Sequence, residues 1–356
     1  MKTNFKAMRP KWDNHFHFGK KNGLIESARI LQAEADEWNI VRIGNPSLAY
    51  EGRTLYPRLQ NLTGMALKKL LRIPSYAYAC LTHDLSLSES EQAASYVRQA
   101  ERFREAGFDG LKMLEGIAGT VFEMGRFPSH PVYDPLFDYL EESGFPVLLH
   151  MGTPEEMWDK SKMDPYALAH GWWQSPDKPK FDEYHKAVFD MMDKHPNMKL
   201  VLAHFGFFSY RPERVEAFFT RYPNARLDTT PACMEIIHIC EHLDMWLPIF
   251  EKYGDRILYG SDDFDVEGDC IRPTVLHNFF EEEGEHDYVG HPYRSIKLSE
   301  ATLQNIYHDS AYRLYGEPKE GNLPLLLEMA EEIRAKIEPG SDEMKELDTI
   351  VEALMS

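Results

Sequence analysis

Eight short apolar or β-branched runs, separated by longer stretches of helical period, constrain the fold of this 356-residue chain more than any other feature. They are Trp12–Phe18, Asn39–Gly44, Ser75–Leu81, Gly110–Leu114, Pro146–His150, Lys199–His204, Ala225–Thr229 and Arg256–Gly260. Several, such as VLLH, LVLAH and RILYG, are apolar on both faces, as strands are when they lie between a core and an outer layer of helices. The intervening segments carry helix punctuation. Ser88-x-x-Glu91 is a capping box that opens a helix running to about Ala106, and Gly107 stops it. Tyr133–Ser143 ends at Gly144 and Ile236–Lys252 at Gly254; Phe181–Lys194 and Pro212–Arg221 end before Pro196 and Pro223. Ile271–Glu283, with Pro273 in its first turn, reads as the eighth helix. Regular alternation of strand and helix predicts a parallel sheet, and eight such units predict one closed (β/α)8 TIM barrel.

Two segments exceed what a barrel needs. One is the loop 151–180 after the fifth strand; the other is the tail beyond Gly316. The expected division is therefore a barrel over 1–316 and a helical extension over 317–356. The tail predicts two amphipathic helices, one with the stripe Leu326, Met329, Ile333 and Ile337, the other with Met344, Leu347, Val351 and Leu354. It is expected to pack on its own barrel or on a second subunit.

The formal net charge of −19 opposes binding to phosphate backbones and anionic membranes, so neither nucleic acid nor a lipid surface is an expected partner. No apolar stretch is long enough for a membrane span and the N-terminus has no apolar leader, so a cytoplasmic location is expected. The four cysteines (Cys80, Cys233, Cys240, Cys270) show no C-x-x-C spacing and read as reduced thiols.

The chemistry is expected where polar residues end apolar strands. Asp13-x-His15-x-His17 lies on the first run, and strand residues two apart share a face. His15 and His17 then project together into the barrel, where unpaired imidazoles would be costly and metal ligation accounts for both. His150 closes the fifth run, His204 the sixth, and Asp262 follows the eighth. The C-terminal strand ends are where barrel enzymes keep their reacting groups. Histidine nitrogens with one carboxylate suit zinc, and also manganese or iron. Asp13 is either a second acceptor for these groups or the polar start of its strand.

The motifs Asp13-x-His15-x-His17, LLHMG (Leu148–Gly152), LAHFG (Leu202–Gly206) and ILYGSD (Ile257–Asp262) resemble those of the amidohydrolase superfamily. More narrowly they resemble its amidohydrolase-related branch of decarboxylases, hydratases and lactonases. Asp228-Thr229-Thr230 and the run Asn305–Tyr315 add to the likeness, which spans about Trp12 to Gly316. The resemblance implies that His15, His17, His150 and Asp262 hold one divalent metal, zinc first and Mn2+ or Fe2+ as alternatives. It implies that His204 is the base beside the open coordination position, and that Asp262 shares proton handling with it. A metal lowers the pKa of bound water from ~16 toward ~7, within reach of such a base.

Where two-metal relatives carry a bridging group on the fourth strand, this chain has Lys112. Three roles are open to it: holding a substrate carboxylate or carbonyl, carboxylation to bridge metals, or an ion pair with Glu115 or Asp109. Trp172, Trp173 and His170 in the long loop, with Arg53 as a candidate carboxylate clamp, are further candidates for substrate binding. The leading expectation is metal-dependent hydrolysis of a small polar or anionic lactone, ester or amide. The alternative is a metal-dependent lyase, a nonoxidative decarboxylase or hydratase acting on a carboxylated ring or dienoic acid. A third is a non-catalytic ligand-binding barrel. A homodimer is one assembly that family habit allows.

Overall fold

The computed structural model describes residues 8–19, 22–48, 56–163, 165–230, 234–266, 271–288 and 290–356. Its main sheet contains β1 (Lys11–Asp13), β2 (Ile40–Pro46), β3 (Ser75–Cys80), β4 (Gly110–Ile117), β5 (Val147–Gly152), β6 (Leu200–Leu202), β7 (Arg226–Asp228) and β8 (Ile257–Leu258). Neighbours in sequence are neighbours in space, and every pairing is parallel. The two outer strands meet just past their ends. The Asn14 amide donates to the Tyr259 carbonyl at 2.9 Å and the Asp262 amide to the His15 carbonyl at 2.8 Å. Beyond them, Phe16–His17 pairs in parallel with Asp263–Phe264. The eighth unit thus returns to the first, as the run count predicts.

Strand alternation sorts the side chains into two layers. Trp12, Tyr76, Tyr78, Leu148, Val201 and Leu258 cluster inside with Leu314 and Tyr315, which come from the helix Ser310–Tyr315. Tyr315 stacks on Tyr78 with ring centroids 5.2 Å apart, and Trp12 on Tyr76 at 4.3 Å, so aromatic rings fill the end of the barrel where strands begin. Alternate residues, including Ala77, Leu111, Met113, Leu149, Leu200, Leu202 and Ile257, face the helices in the main apolar cluster. The polar strand ends are left at the other mouth.

The segments around the strands depart from expectation in instructive ways. Ile236–Lys252 is two helices, Glu235–Glu241 and Leu243–Tyr253. His242 leaves helical torsions (φ −130°, ψ 35°), and its carbonyl accepts the amides of Met245 and Trp246. The break lets the second helix bury Trp246 and Phe250. The eighth helix stops at Phe280, and an antiparallel hairpin, Glu285–Tyr288 with His291–Arg294, follows it. Its short strands alternate weakly, which hid it in the sequence.

The tail helices are Leu323–Arg334 and Asp342–Met355. They pack on the same chain, against α1 (Leu24–Trp38), α2 (Tyr56–Leu70) and α3 (Glu89–Ala106). Leu326, Met329 and Ile333 are buried as the first stripe requires, but the second stripe is rotated: Leu347 and Leu354 are buried with Ile350 and Ala353, while Met344 and Val351 are only partly covered. Arg102 reaches Glu328 and Glu332 at 2.9 and 2.7 Å. Gly107 has a left-handed φ of 93°, and a Cβ there would lie 2.1 Å from the Glu320 carbonyl oxygen; only glycine admits the tail so close.

Candidate metal centre

His15 and His17 follow β1, and the pairing of Phe16–His17 with Asp263–Phe264 carries Asp262 to them. His15 Nε2 and His17 Nε2 are 3.1 Å apart. Asp262 Oδ1 lies 3.5 Å from the first and 3.1 Å from the second. Candidate ligand atoms of these three residues all fall within 4.8 Å of one another. His150, within β5, stands outside this trio, with Nδ1 3.1 Å from His204 Nε2. The His15 and His204 ring centroids are 5.8 Å apart, so all five residues gather at one mouth.

Hydrogen-bond partners fix where the protons sit. His17 Nδ1 lies 3.1 Å from the Pro46 carbonyl, which can only accept, so Nδ1 bears the hydrogen and Nε2 a lone pair. His15 Nδ1 lies 2.8 Å from Asp228 Oδ2 and is likewise the donor. Burial pushes the pKa of His17 down and that of His15 well down, with the nearby Lys112 charge adding to both; both rings are neutral near pH 7. Burial alone would raise Asp262, but the surrounding histidines and the Arg272 charge hold it well below the carboxylate range, so it stands ionised. Two imidazole lone pairs and a carboxylate oxygen therefore converge without hydrogens of their own to share. That donor set fits a divalent cation.

The main chain at this mouth is constrained. His204, Phe205, Gly206 and Phe207 are consecutive left-handed residues, with φ of 58°, 52°, 63° and 54°, and Asp262 has φ 58°. Each non-glycine residue in that region costs roughly 1–2 kcal/mol. The turn directs His204 back over the barrel and places Phe207 against both His204 and His150, with centroids 5.1 and 5.5 Å apart. On the other side Phe264 lies 5.0 Å from the His17 ring and packs with Leu48, Cys80, Leu114 and Ile117. The histidines thus sit between two apolar walls.

The other predicted residues lie at varied distances from this centre. Lys112 is buried inside the barrel with Nζ 3.0 Å from His15 Nε2; Asp109 pairs instead with Lys68, and Glu115 with His83. Asp13 accepts the amides of His15 and Ser261, joining the first strand to the eighth. Trp173 packs in a cluster with Met157, Met163 and Ala167, under the Lys160 ammonium at 3.7 Å. His170 and Trp172 are exposed and face each other, with centroids 5.6 Å apart. Arg53 lies outside the described residues. Sequence reasoning gave no role to Asp228 and Thr230 beyond their place in a motif. Both contact the histidine array, and the signal available was that buried ligating histidines need an acceptor on their second nitrogen.

The family model described as amidohydrolase matches residues 87–316. No curated protein matches the sequence. Among solved structures, a 2,6-dihydroxybenzoate decarboxylase complexed with 2,6-dihydroxybenzoate is similar at 16% identity and TM-score 0.54, covering 86% of this chain and 99% of its own. The 4-oxalomesaconate hydratase of Rhodopseudomonas palustris is similar at 14% identity and TM-score 0.51, covering 92% and 99%. A dihydroxybenzoic acid decarboxylase from Polaromonas sp. JS666, with bound manganese and 2-nitroresorcinol, matches at 15% identity and TM-score 0.51, covering 86% and 97%.

Proposed function

We propose that this chain, which belongs to the amidohydrolase family, is a metal-dependent hydrolase acting on the carbonyl of a small polar lactone, ester or amide. The observation that supports this most is the convergence of His15 Nε2, His17 Nε2 and Asp262 Oδ1. In this reading His15, His17, His150 and Asp262 hold one divalent metal, zinc or alternatively Mn2+ or Fe2+. The metal supplies Lewis-acid polarisation and a water acidic enough to ionise near neutral pH.

The remaining work falls to side chains. Burial holds His204 down to about 4, so its imidazole is neutral at pH 7 and accepts the proton of the attacking water at Nε2. It then passes that proton to the departing alcohol or amine as the carbonyl carbon–heteroatom bond breaks. Asp262 shares this proton while it serves as ligand. Phe207 and Phe264 keep bulk water from the reacting atoms. Lys112 meets an anionic group of the substrate; Trp172, Trp173, His170 and Arg53 are proposed to complete substrate binding as the loops close over the mouth. A cytoplasmic homodimer is the setting proposed for this enzyme.

A second reading is nonoxidative decarboxylation or hydration. It is supported by the apolar walls around Phe207 and Phe264, which suit a flat ring, and by the dihydroxybenzoate named for two structures of the same fold. There His204 would take the substrate's phenolic proton at Nε2 and return it to ring carbon as carbon dioxide leaves. Metal-loaded protein should be offered a lactone and ester panel beside carboxylated phenols, with acid and carbon dioxide release followed separately. Lactone opening without carbon dioxide supports hydrolysis; gas release from a hydroxybenzoate supports the lyase. Turnover that survives a strong chelator would count against both metal-dependent readings.

A further inference from the structure

Asp228 ends β7 and collects four donors. Its Oδ2 takes His15 Nδ1–H at 2.8 Å. Its Oδ1 takes the His204 amide at 2.8 Å, the Thr230 amide at 3.2 Å and the Thr230 hydroxyl at 2.6 Å. A hydroxyl that close to an ionised carboxylate has its hydrogen on the carboxylate side. Thr230 Oγ1 can then only accept from His204 Nδ1, which is 2.8 Å away. That leaves His204 Nε2 as a lone pair. Asp228, Thr229 and Thr230 are fully buried, so water does not compete for these bonds.

We infer that Asp228 and Thr230 are positioning residues, a single carboxylate setting the Nδ1–H tautomer of His15 directly and of His204 through the threonine hydroxyl. Ligand and base are thereby presented by one group: both turn their Nε2 lone pairs toward the mouth. What those lone pairs do rests on the function proposed above; the tautomers themselves do not.

The two branches separate by substitution. In Asp228→Asn the oxygen stays with the three donors on the Oδ1 side, and the amide nitrogen turns toward His15 Nδ1. Two donors cannot face each other, so His15 is driven to the opposite tautomer and its Nε2 is lost as a ligand. Thr230→Val removes the hydroxyl's bonds to Asp228 Oδ1, the His204 amide and His204 Nδ1 but leaves the His15 bond on Asp228 Oδ2, and Thr230→Ser restores them.

The experiment is zinc titration calorimetry of the full chain, with 15N histidine NMR on the same samples and turnover where a substrate is found. Asp228→Asn is expected to weaken zinc binding about 10–100-fold and to move the His15 hydrogen to Nε2. Thr230→Val is expected to keep wild-type zinc affinity while altering the His204 tautomer and lowering kcat rather than raising KM, with Thr230→Ser close to wild type. Wild-type spectra showing either Nδ1 without hydrogen would overturn the inference even if no variant folds. So would equal zinc loss in Asp228→Asn and Thr230→Val. A wild-type chain that takes up no zinc, manganese or iron defeats the proposed function instead, while the NMR arm still decides the tautomers.

Discussion

His150 Nδ1 stands 3.1 Å from His204 Nε2, the one nitrogen of His204 that Thr230 leaves open. The base is held on both sides by neutral partners. His204→Gln keeps a polar group of similar reach but no titratable nitrogen, and is expected to lower kcat by roughly 10²–10⁴-fold. Circular dichroism should show the fold intact. Activity within a few-fold of wild type would remove His204 from the chemistry.

Metal removal should also register as stability. A ligand bound only by the folded state, at a free concentration 100 times its Kd, adds about 2.7 kcal/mol. Thermal melts of chelator-stripped protein should therefore rise by several degrees on adding zinc or manganese. His17→Ala, which deletes one of the three converging atoms, should flatten that response. A melt indifferent to every divalent ion would remove the ground for a metal centre here.

Acid should destabilise the chain partly through His185. Its Nε2 lies 3.2 Å from the Gly206 carbonyl, and its Nδ1 accepts from Arg214 at 2.7 Å. The neutral ring is fully used and cannot take a second hydrogen. Burial, helped by the Arg214 charge, lowers its pKa from 6.5 to about 3. The unfolded chain therefore binds this proton first as pH falls. Stability from this group is complete above 6.5 and declines toward about 3, by up to ~1.4 kcal/mol per pH unit. His185→Gln can make both bonds without titrating. Urea melts between pH 7 and 4 should show a shallower slope for the variant, and identical slopes would refute this assignment.

The tail should behave as core. Leu347 is fully buried against the barrel helices, so Leu347→Ala is expected to cost about 2–5 kcal/mol in denaturant melts. Met344 is only partly covered, and Met344→Ala should cost much less. Near-zero loss at Leu347 would mean that the extension leaves the barrel in solution.

Much of this architecture is readable because strand ends write themselves plainly: VLLH and LVLAH finish an apolar run on a histidine, and the barrel places both at one mouth. The His15 and His17 pair is legible from a period of two, although the strand itself stops at Asp13 and only Phe16–His17 pairs beyond it, with Asp263–Phe264. What periodicity does not reveal is where a loop residue turns. In the long loop after β5, Trp158 donates to the Pro179 carbonyl and packs on Phe181 and Tyr184, and Trp173 packs with Met157, Met163 and Ala167. The second tail stripe failed for a similar reason, since Ile350 and Val351 are equally apolar and only packing chooses between them. Asp228 was invisible as a partner because its contact with His15 spans 213 positions.

The left-handed stretch from His204 to Phe207 has a consequence for how such a protein can change. A glycine at 205 or 207 would ease the backbone, but both positions hold buried phenylalanines, so relief there opens a hole in the interior. One residue added or lost within the four would swing the imbalance onto His204 itself. Any substitution here trades backbone relief against interior packing, leaving heat tolerance and the aim of one imidazole opposed at the same short piece of chain.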